Sequence, residues 1–518
     1  MTDKPEPPDP TRRRFFRQFA GDVLTSAGSV MGAVQSLQQT SAEAAREMLA
    51  GEPMATPGSG TVSVAGAYAV PAESDATNAG YRAPFRWDGD VCRVVDQRRL
   101  PDVLADLEVR GAAEAVGVVN DGALVGAPVQ AQVAAVTLAL VAGRSSVSRA
   151  FARRATIRGA ANALRNARPG SAPMAAALDR MLALLEHLGM DAEGDVLAGA
   201  FRGEAERIVA EASDDHGALV GHVLGALPGE ADTPLRVLVA GSTVAMGCGQ
   251  FGGALSAVMT AHHGGRTVHA LVPEGRPGFE GSRVAAWELR QAGVPHAVVT
   301  DAAAPGCIAA GEVDAVLVGA DRIAANGDVI APAGTYPLAL AAAAAGVTFL
   351  VCAATPAVDL GVAEGGDAAV EEGRPSTVLR AAGTRIALEG TEIRNPLQDR
   401  VPASLLTAIV TETGVLRPPF GPALAEAVAA ASARRSASAG YAALLALREA
   451  AAQVTEGDGE GGGNARQAAG PVDVAALRNP TPGSRAAPDS QSTQGAPPVQ
   501  DATSAPGSPS GSPSGSAG

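Results

Sequence analysis

Cysteine, aromatic residues and positive charge are all scarce in this sequence of 518 residues. The four cysteines lack metal-ligand spacing, which argues against a zinc site or a disulfide framework and favours a reducing, cytoplasmic environment. Aromatic residues make up only 3% of the chain, so the core must consist mostly of Ala, Val and Leu. The net charge of −14 argues against nucleic-acid binding, and no apolar run indicates a membrane span. The cysteines are Cys92, Cys248, Cys307 and Cys352.

The first 81 residues have the composition of a disordered polar start, a helix and a linker. Residues 11–17, TRRRFFR, resemble a twin-arginine export signal, but polar residues interrupt the apolar stretch that should follow. Apolar residues instead recur three or four positions apart over about residues 13–40, which predicts an amphipathic helix. We favour docking of this helix on the protein itself or on a partner, while membrane-surface binding and export stay open. Residues 51–81 are predicted to be a linker.

Residues 82–230 are predicted to form a mostly helical N-terminal subdomain. Near its start, over residues 84–101, Asp88-Gly89 stands between strand-forming residues, which predicts a strand pair joined by a hairpin turn. The residues that follow have helical periodicity or Ala/Leu-rich composition. Helices are therefore predicted over residues 102–142, 151–188 and 197–227.

Residues 231–454 show another pattern, in which short apolar runs alternate with helical stretches. Repeated strand–helix–strand units imply a parallel sheet covered on both faces, so we predict a Rossmann-like α/β domain. The apolar runs are residues 236–240, 267–272, 296–300, 315–319 and 348–352. A turn, a helix and an extended exit are predicted over residues 395–419, an Ala-rich helix over 420–454, and a disordered tail over 455–518.

An acid and a base follow the apolar run at residues 315–318 almost at once, as Asp321 and Arg322. Gly319 and Ala320 allow the backbone to turn tightly between them and the strand. Both side chains would then lie at the carboxyl end of a parallel strand, where ligands bind in open α/β sheets. This placement predicts an acid/base site, and the alternative is a surface ion pair that caps a turn.

Other patterns indicate sites more weakly. Residues 247–252 spell GxGxxG, but they begin about seven residues after the strand, too late for a dinucleotide-binding turn, so a flexible glycine-rich cap over the site is favoured. His262 and His263 would diverge on a helix, and neither a metal nor another cofactor is expected. Arg276, before Pro277, is either an anion contact or a turn-stabilising residue. The run Asp367, Glu371 and Glu372 is most simply a solvated acidic loop.

Six segments, in order along residues 84–425, together resemble the methylthioribose-1-phosphate isomerases. These enzymes share a superfamily with ribose-1,5-bisphosphate isomerases and with the alpha, beta and delta regulatory subunits of translation initiation factor 2B. VGADRIAANGD is the most specific segment and is more similar to the isomerase branch. The segments are residues 85–101, 167–181, 274–295, 318–328, 334–340 and 395–419.

The resemblance implies a homodimer that converts an aldose 1-phosphate into a ketose 1-phosphate, without a cofactor, in methionine salvage. The family's acid corresponds to Asp321, and its phosphate-contacting Arg before Pro corresponds to Arg168. Its phosphate loop matches Gly126 and Ala127, and its Gln before Gly matches Glu280. With Arg276 as a further anion contact, these residues are the predicted substrate and phosphate site.

Four positions depart from the family pattern. Gly241 stands where the family has a Cys, and Val125 stands where its phosphate loop has an Arg. Glu280 replaces the Gln, and Ala331-Pro332 replaces an Asn-Lys pair. Cys248 lies seven residues beyond the matching position. These departures predict an altered substrate or weakened catalysis, and they leave a non-catalytic binding or regulatory protein as the alternative.

Overall fold

An antiparallel sheet of three short strands opens the part of the chain that the structure, a computed structural model, describes: residues 82–436 except 191, 242, 250 and 382. Its strands are β1 (Phe85–Asp88), β2 (Val91–Val95) and β3 (Asp106–Val109). The predicted pair is confirmed, with Gly89 at a φ of 58° in the turn. The helical periodicity predicted from residue 102 is wrong over β3, because Leu107 and Val109 alternate with charged residues and pair with buried residues of β2.

Five helices follow and pack around the most buried of them, the second. They are α1 (Ala112–Asn120), α2 (Ala127–Arg144), α3 (Ala150–Ala167), α4 (Ala172–His187) and α5 (Gly194–Ala226). Helix α3 ends at Arg168 because the following Pro169 disfavours the helical conformation there, and Arg168 has φ −144° and ψ 71°. The single stretch predicted over residues 151–188 is therefore two helices, and Arg168 lies in the break between them.

A seven-stranded sheet forms the core of the remaining chain, as the alternation of apolar runs predicts. Its strands are β4 (Leu235–Ala240), β5 (Val268–Pro273), β6 (His296–Val299), β7 (Ala315–Val318), β10 (Thr348–Cys352), β15 (Ala408–Thr411) and β16 (Gly414–Leu416). The spatial order is β16-β15-β10-β7-β4-β5-β6, and all pairs are parallel except β15 with β16. The fold is a helical region followed by a Rossmann-like parallel α/β region, which confirms the predicted fold class.

Helices connect and cover these strands. They are α6 (Ala245–Cys248), α7 (Gly253–His263), α8 (Ala286–Gln291, continuing a π-helix at Gly281–Ala285), α9 (Ala304–Ala309) and α10 (Thr335–Ala345). Apolar residues from both faces of the sheet lie in separate buried clusters, as expected of a sheet that is covered on both sides. A subdomain boundary near residue 230 stays a prediction.

A second, smaller sheet of four strands begins after β7 in the chain, and its strands come from separate parts of the sequence. Its strands are β8 (Arg322–Ala324), β9 (Val329–Pro332), β11 (Val358–Asp359) and β14 (Gln398–Val401). A short helix α11 (Pro375–Leu379) and a two-stranded hairpin of β12 (Arg380–Ala381) and β13 (Thr384–Arg385) precede β14. Single 3-10 turns occupy Gln97–Arg99, Thr355–Ala357, Gly365–Asp367 and Ala403–Leu405.

The helix predicted within residues 395–419 is wrong. This segment contains β14, β15 and β16 with only a 3-10 turn between the first two. Ile409 and Val410 are fully buried beside β10 in the middle of the large sheet, where β-branched side chains pack well. Pairing with the neighbouring strand therefore overrides the local helical pattern.

The last described element is a helix, α12, over residues 420–436, the first part of the predicted 420–454 helix. Near its end, Arg434 and Arg435 form ion pairs with the buried Asp215 of α5. Arg435 also lies 3.5 Å from the buried Glu412 carboxylate, so these cations tie α12 to both α5 and the large sheet. No helix among the residues described is long and apolar enough to cross a membrane. The predicted N-terminal helix, linker and tail lie outside the described residues.

Candidate active site

Asp321 lies three residues after the end of β7, at the carboxyl edge of the large sheet. Its backbone is fixed from two sides: its N–H donates to the Ile330 carbonyl at 2.9 Å, and its carbonyl accepts the Ala172 N–H at 2.9 Å. Only 2% of its side chain is exposed, yet it lines a large cavity. The neighbouring strand β4 ends beside the same cavity at Gly241.

Two side chains hold one oxygen of the Asp321 carboxylate. Arg168 donates to Oδ2 at 3.1 Å, and the Gln398 amide donates to the same atom at 2.6 Å. Arg168 reaches Asp321 from the break between α3 and α4, and Gln398 begins β14. Because both donors bind Oδ2, the second carboxylate oxygen is left for a ligand in the cavity.

Arg168 is shared between two carboxylates. Its Nε lies 3.1 Å from the Glu371 carboxylate, which also accepts the Gly170 N–H at 2.8 Å. Burial alone would lower the pKa of Arg168, but Asp321, Glu371 and Glu280 outweigh burial and raise it. Arg168 therefore stays charged, and the charges of Asp321 and Glu371 already offset its own.

Glu371 is a site residue that the sequence interpretation missed. The prediction of a solvated acidic loop is wrong for it, because its side chain is only 10% exposed and lines the cavity. The adjacent Glu372 fits the prediction better, with a side chain 48% exposed. No local signal separates the two, since what buries Glu371 is its contact with Arg168, 203 residues away.

Arg322, the predicted basic partner of Asp321, points elsewhere. It forms an ion pair with Asp359 and donates to the Pro169 carbonyl at 3.2 Å. It does not line the cavity, and the cation that pairs with Asp321 is Arg168. The alternative interpretation, an ion pair at a turn, describes Arg322 but not Asp321.

The cavity has a volume of about 1100 Å³ and brings together most of the predicted site residues. The loop after β5 also lines the cavity, and Asp301 fixes its shape: this carboxylate accepts the Gly275 and Arg276 N–H groups at 2.9 and 2.7 Å. The Arg276 guanidinium stacks over Phe279 with 4.8 Å to the ring centroid, and its Nη1 is buried without a hydrogen-bond partner. The predicted site residues that line the cavity are Asp321, Arg168, Gly126, Glu280 and Arg276.

Ala127, the remaining predicted site residue, is buried in the first turn of α2 and does not line the cavity. Gly126, before it, has a φ of 117°. A Cβ at this position would lie 2.4 Å from the Gly247 backbone, so Gly126 permits close contact between α2 and α6. Its neighbour Val125 donates its N–H to the Gln97 side chain at 3.1 Å.

We expect Gly126→Ala to lower the free energy of unfolding by about 2–4 kcal/mol, because two backbones must separate and the positive φ is strained. Gly122→Ala is the matched control: its φ is 70°, but no atom lies within 4 Å of the added Cβ. It should cost only about 1 kcal/mol. Urea denaturation of both variants measures the difference, and equal losses would show that the Gly247 contact is unimportant.

The positions at which the family has a Cys and a Lys are Gly241 and Pro332, and both line the cavity. A Cβ at Gly241 would lie 3.4 Å from the Pro332 ring, so neither a thiol nor an ammonium group faces the cavity here. Cys248 does not replace the thiol: it is buried in α6, and burial together with Glu288 raises its pKa to about 12. The glycine-rich cap predicted at residues 247–252 is not observed over the site, because Gly247, Cys248, Gly249 and Gly252 are buried and do not line the cavity.

A buried carboxyl group lies beneath this wall of the cavity. Glu288 of α8 accepts the Ala245 and Met246 N–H groups at 2.9 and 2.7 Å and so caps α6. Burial raises its pKa to about 7, even though the two N–H donors act in the opposite direction. The cap therefore changes charge close to neutral pH.

Removal of this carboxyl group should change the pH dependence of stability. Between pH 4.5, the ordinary pKa, and about 7, native Glu288 retains a proton that the unfolded chain has released. The stabilisation that comes from this retained proton is fully present below pH 4.5 and is lost as pH rises through 7. The free energy of unfolding changes by about 3 kcal/mol over this range. We expect Glu288→Gln to remove this part of the slope in denaturation series from pH 4.5 to 8. An unchanged slope would mean that Glu288 is ionised throughout.

Residues 123–418 match the sequence model of the initiation factor 2 subunit family. A protein named methylthioribose-1-phosphate isomerase from Chloroflexus aurantiacus is 36% identical over 348 residues, which cover 65% of this chain and 96% of that protein. One of the same name from an Anaeromyxobacter species is 39% identical over 338 residues, covering 65% and 94%.

Two solved structures share the fold over nearly their whole length. The 5-methylthioribose 1-phosphate isomerase of Pyrococcus horikoshii OT3 has a TM-score of 0.59 and 27% identity, with 69% of this chain and 98% of that chain covered. The delta subunit of translation initiation factor eIF-2B from A. fulgidus has a TM-score of 0.56 and 26% identity, with 67% and 99% covered.

Proposed function

Since this chain belongs to the initiation factor 2 subunit family, we propose that it is an aldose–ketose isomerase of the methylthioribose-1-phosphate isomerase type. The observation that carries the proposal is Asp321: a buried carboxylate at a strand end, held through one oxygen and facing a cavity large enough for a sugar phosphate. Identity of 34–39% to proteins of that name, over most of their length, supports the same reaction.

The reaction needs an acid because the phosphate on C1 prevents spontaneous opening of the sugar ring. In the proposal, the Asp321 carboxylate takes up a proton as the anionic substrate binds and gives it to the ring oxygen, and Arg168 and Gln398 stabilise the carboxylate that remains. A second group must move a proton, or a hydride equivalent, between C2 and C1. The site thus divides the chemistry between a fixed acid and another residue on the cavity wall.

The phosphate is proposed to bind near Arg276 rather than at Arg168. Arg168 is already paired with two carboxylates, whereas Nη1 of Arg276 has no partner. A charged hydrogen bond contributes about 1.5–3 kcal/mol, which corresponds to about 10- to 150-fold in affinity. One such contact partly replaces the donors that Val125 and Pro332 lack, so weaker substrate binding or a different sugar phosphate is expected.

We also propose that the protein is a cytoplasmic homodimer, as the resemblance implies. Cys92, Cys248 and Cys352 are buried free thiols, which supports a reducing compartment. Tyr336 and Leu340 are exposed apolar residues one turn apart on α10, a surface that a second copy can cover. Light scattering on the full chain tests the oligomeric state.

The test of the activity is a thermal-shift titration with methylthioribose 1-phosphate, ribose 1,5-bisphosphate and nucleoside monophosphates, followed by an isomerisation assay on every stabilising compound. We expect stabilisation by an aldose 1-phosphate and its conversion into the ketose 1-phosphate. Stabilisation without conversion would contradict the isomerase proposal and support the second candidate.

That second candidate is a non-catalytic binding or regulatory protein on the same scaffold. It is favoured by one observation: Gly241 and Pro332 line the cavity at the two matching positions, so this wall has neither a thiol nor an ammonium group. A regulatory protein would bind a sugar phosphate or a partner and leave it chemically unchanged. Absence of any stabilising compound would direct the search to protein partners.

A further inference from the structure

The loop between β5 and the π-helix is strained immediately before a carboxylate of the cavity wall. Phe279 has a φ of 63°, in the left-handed region that bulky side chains rarely adopt, and it is the only non-glycine residue with positive φ among those the structure describes. Its N–H donates to the Gly275 carbonyl at 2.6 Å, and Arg276 stacks on its ring. Such strain persists where the surroundings impose it, often at functional sites. The next residue, Glu280, lines the cavity.

The Glu280 carboxyl group is held differently from the other two carboxylates. It folds back on the loop, where a Cβ at Gly278 would lie 1.9 Å from Oε1 and one at Gly275 would lie 3.3 Å from Oε2. Within the described part of the chain it forms no ion pair, whereas Asp321 and Glu371 both pair with Arg168. A carboxylate without a fixed cation is a stronger base than one that is already neutralised.

The surroundings of Glu280 also increase its affinity for a proton. Burial raises its pKa, while its own N–H and the Arg283 and Arg168 guanidinium groups act in the opposite direction, and Asp301 adds to the rise. Proton transfer is most efficient when the pKa of the group is close to the working pH. Arg168 is paired with Asp321 and Glu371, whereas Glu280 has no ion pair among the described residues.

We propose that Glu280 is the second proton-transfer group, acting in place of the thiol that Gly241 lacks. This inference rests on the proposed isomerase function. Asp321 gives its proton to the ring oxygen, and the C1–O ring bond breaks to leave a cation at C1. Glu280 removes the proton from C2, and that electron pair forms the C1=C2 bond. Glu280 then returns the proton to C1 while the C2 hydroxyl gives its proton to Asp321, which yields the C2 ketone with both acids restored and no external oxidant or reductant.

The substitution Glu280→Gln separates this role from simple repulsion of the substrate phosphate, because the two roles predict opposite results. As a proton carrier, Glu280 is required for turnover, so E280Q should lower kcat about 100-fold or more with little change in KM. If Glu280 only repels the substrate phosphate, a neutral amide should improve substrate binding. E280Q would then lower KM and leave kcat unchanged. The second result would overturn the inference.

A conservative variant and a control complete the test. Glu280→Asp keeps a carboxyl group on a shorter side chain, so it should retain part of kcat and the acidic limb of the kcat–pH profile, which E280Q should lose. Glu274→Gln changes a carboxyl group of the same loop that does not line the cavity, and it should leave kcat unchanged. Thermal melting of each full-length variant checks folding, and an E280D variant as inactive as E280Q, with a normal melting temperature, would count against proton transfer.

The wild-type assay distinguishes failure of the inference from failure of the proposed function. If wild-type protein isomerises an aldose 1-phosphate and E280Q is equally active, only the role of Glu280 is wrong. If wild-type protein converts none of the sugar phosphates tested, the isomerase function and the role of Glu280 are both wrong.

Discussion

Replacement of Asp321 with Asn is expected to lower kcat at least about 10³-fold while the protein stays folded. An amide carbonyl can still accept hydrogen bonds from Arg168 and Gln398, so the geometry around the side chain is kept. An amide cannot give a proton to the ring oxygen, so the first step of the proposed reaction is lost. Arg168 retains Glu371 as its partner, and the free energy of unfolding should change little.

Asp359→Asn is the matched control for this variant. Asp359 is also an acid that pairs with an arginine, Arg322, but neither side chain lines the cavity. Its substitution should leave kcat within about twofold and affect stability by about 1–3 kcal/mol at most. If D321N retained full activity, or lost activity only because it no longer folded, Asp321 would not be the acid.

Replacement of Arg168 with Met is expected to lower the free energy of unfolding by about 3–5 kcal/mol near pH 7. Asp321 is 2% exposed, and without Arg168 its charge would be left with Gln398 alone. Glu371 would likewise keep only the Gly170 N–H. A buried carboxylate that has lost its cation is costly to keep charged, so both side chains should destabilise the variant.

The loss of stability in this variant should therefore depend on pH. It should be largest near pH 7 and shrink at lower pH, because a buried carboxylate without a cation avoids the cost of its charge by binding a proton. Urea denaturation at pH 7 and pH 5 measures the effect, and R168M combined with D321N should lose less than R168M alone. Arg165→Met, which removes an exposed ion pair between α3 and Asp179 of α4, should cost at most about 1 kcal/mol. A loss in R168M that was independent of pH would argue that packing, and not charge, holds this position.

The architecture and the position of Asp321 could be predicted because both depend on local sequence. Strands such as β7 are short buried apolar runs, and an acid three residues later must lie at the edge of the sheet. The same local reasoning failed over β14 to β16, where pairing with distant strands decides the structure. It also failed for Glu371, which is buried by its contact with Arg168, a residue far away in the sequence.

The partners of Asp321 could not be found from spacing, because the two partners and Asp321 itself come from three separate parts of the chain. Arg168 precedes Asp321 by 153 residues, and Gln398 follows it by 77. Resemblance to a family identified Arg168, but it gave no indication that two carboxylates would occupy its guanidinium. Gln398 carries no periodic or compositional signal, and the antiparallel pairing of β14 with β9 brings it to Asp321.

The order of strands in the large sheet has a consequence for how this family can evolve. From β4 the chain continues to one side through β5 and β6, and from β7 to the other side through β10 and β15. The loops after β4 and β7 therefore leave in opposite directions, and a crevice opens between them whatever side chains they carry. The position of the crevice thus depends on the order of the strands, whereas its chemistry depends on the individual side chains that line it. A protein of this family can lose a thiol or an ammonium group at this crevice and still retain a binding site there, from which a new function can evolve.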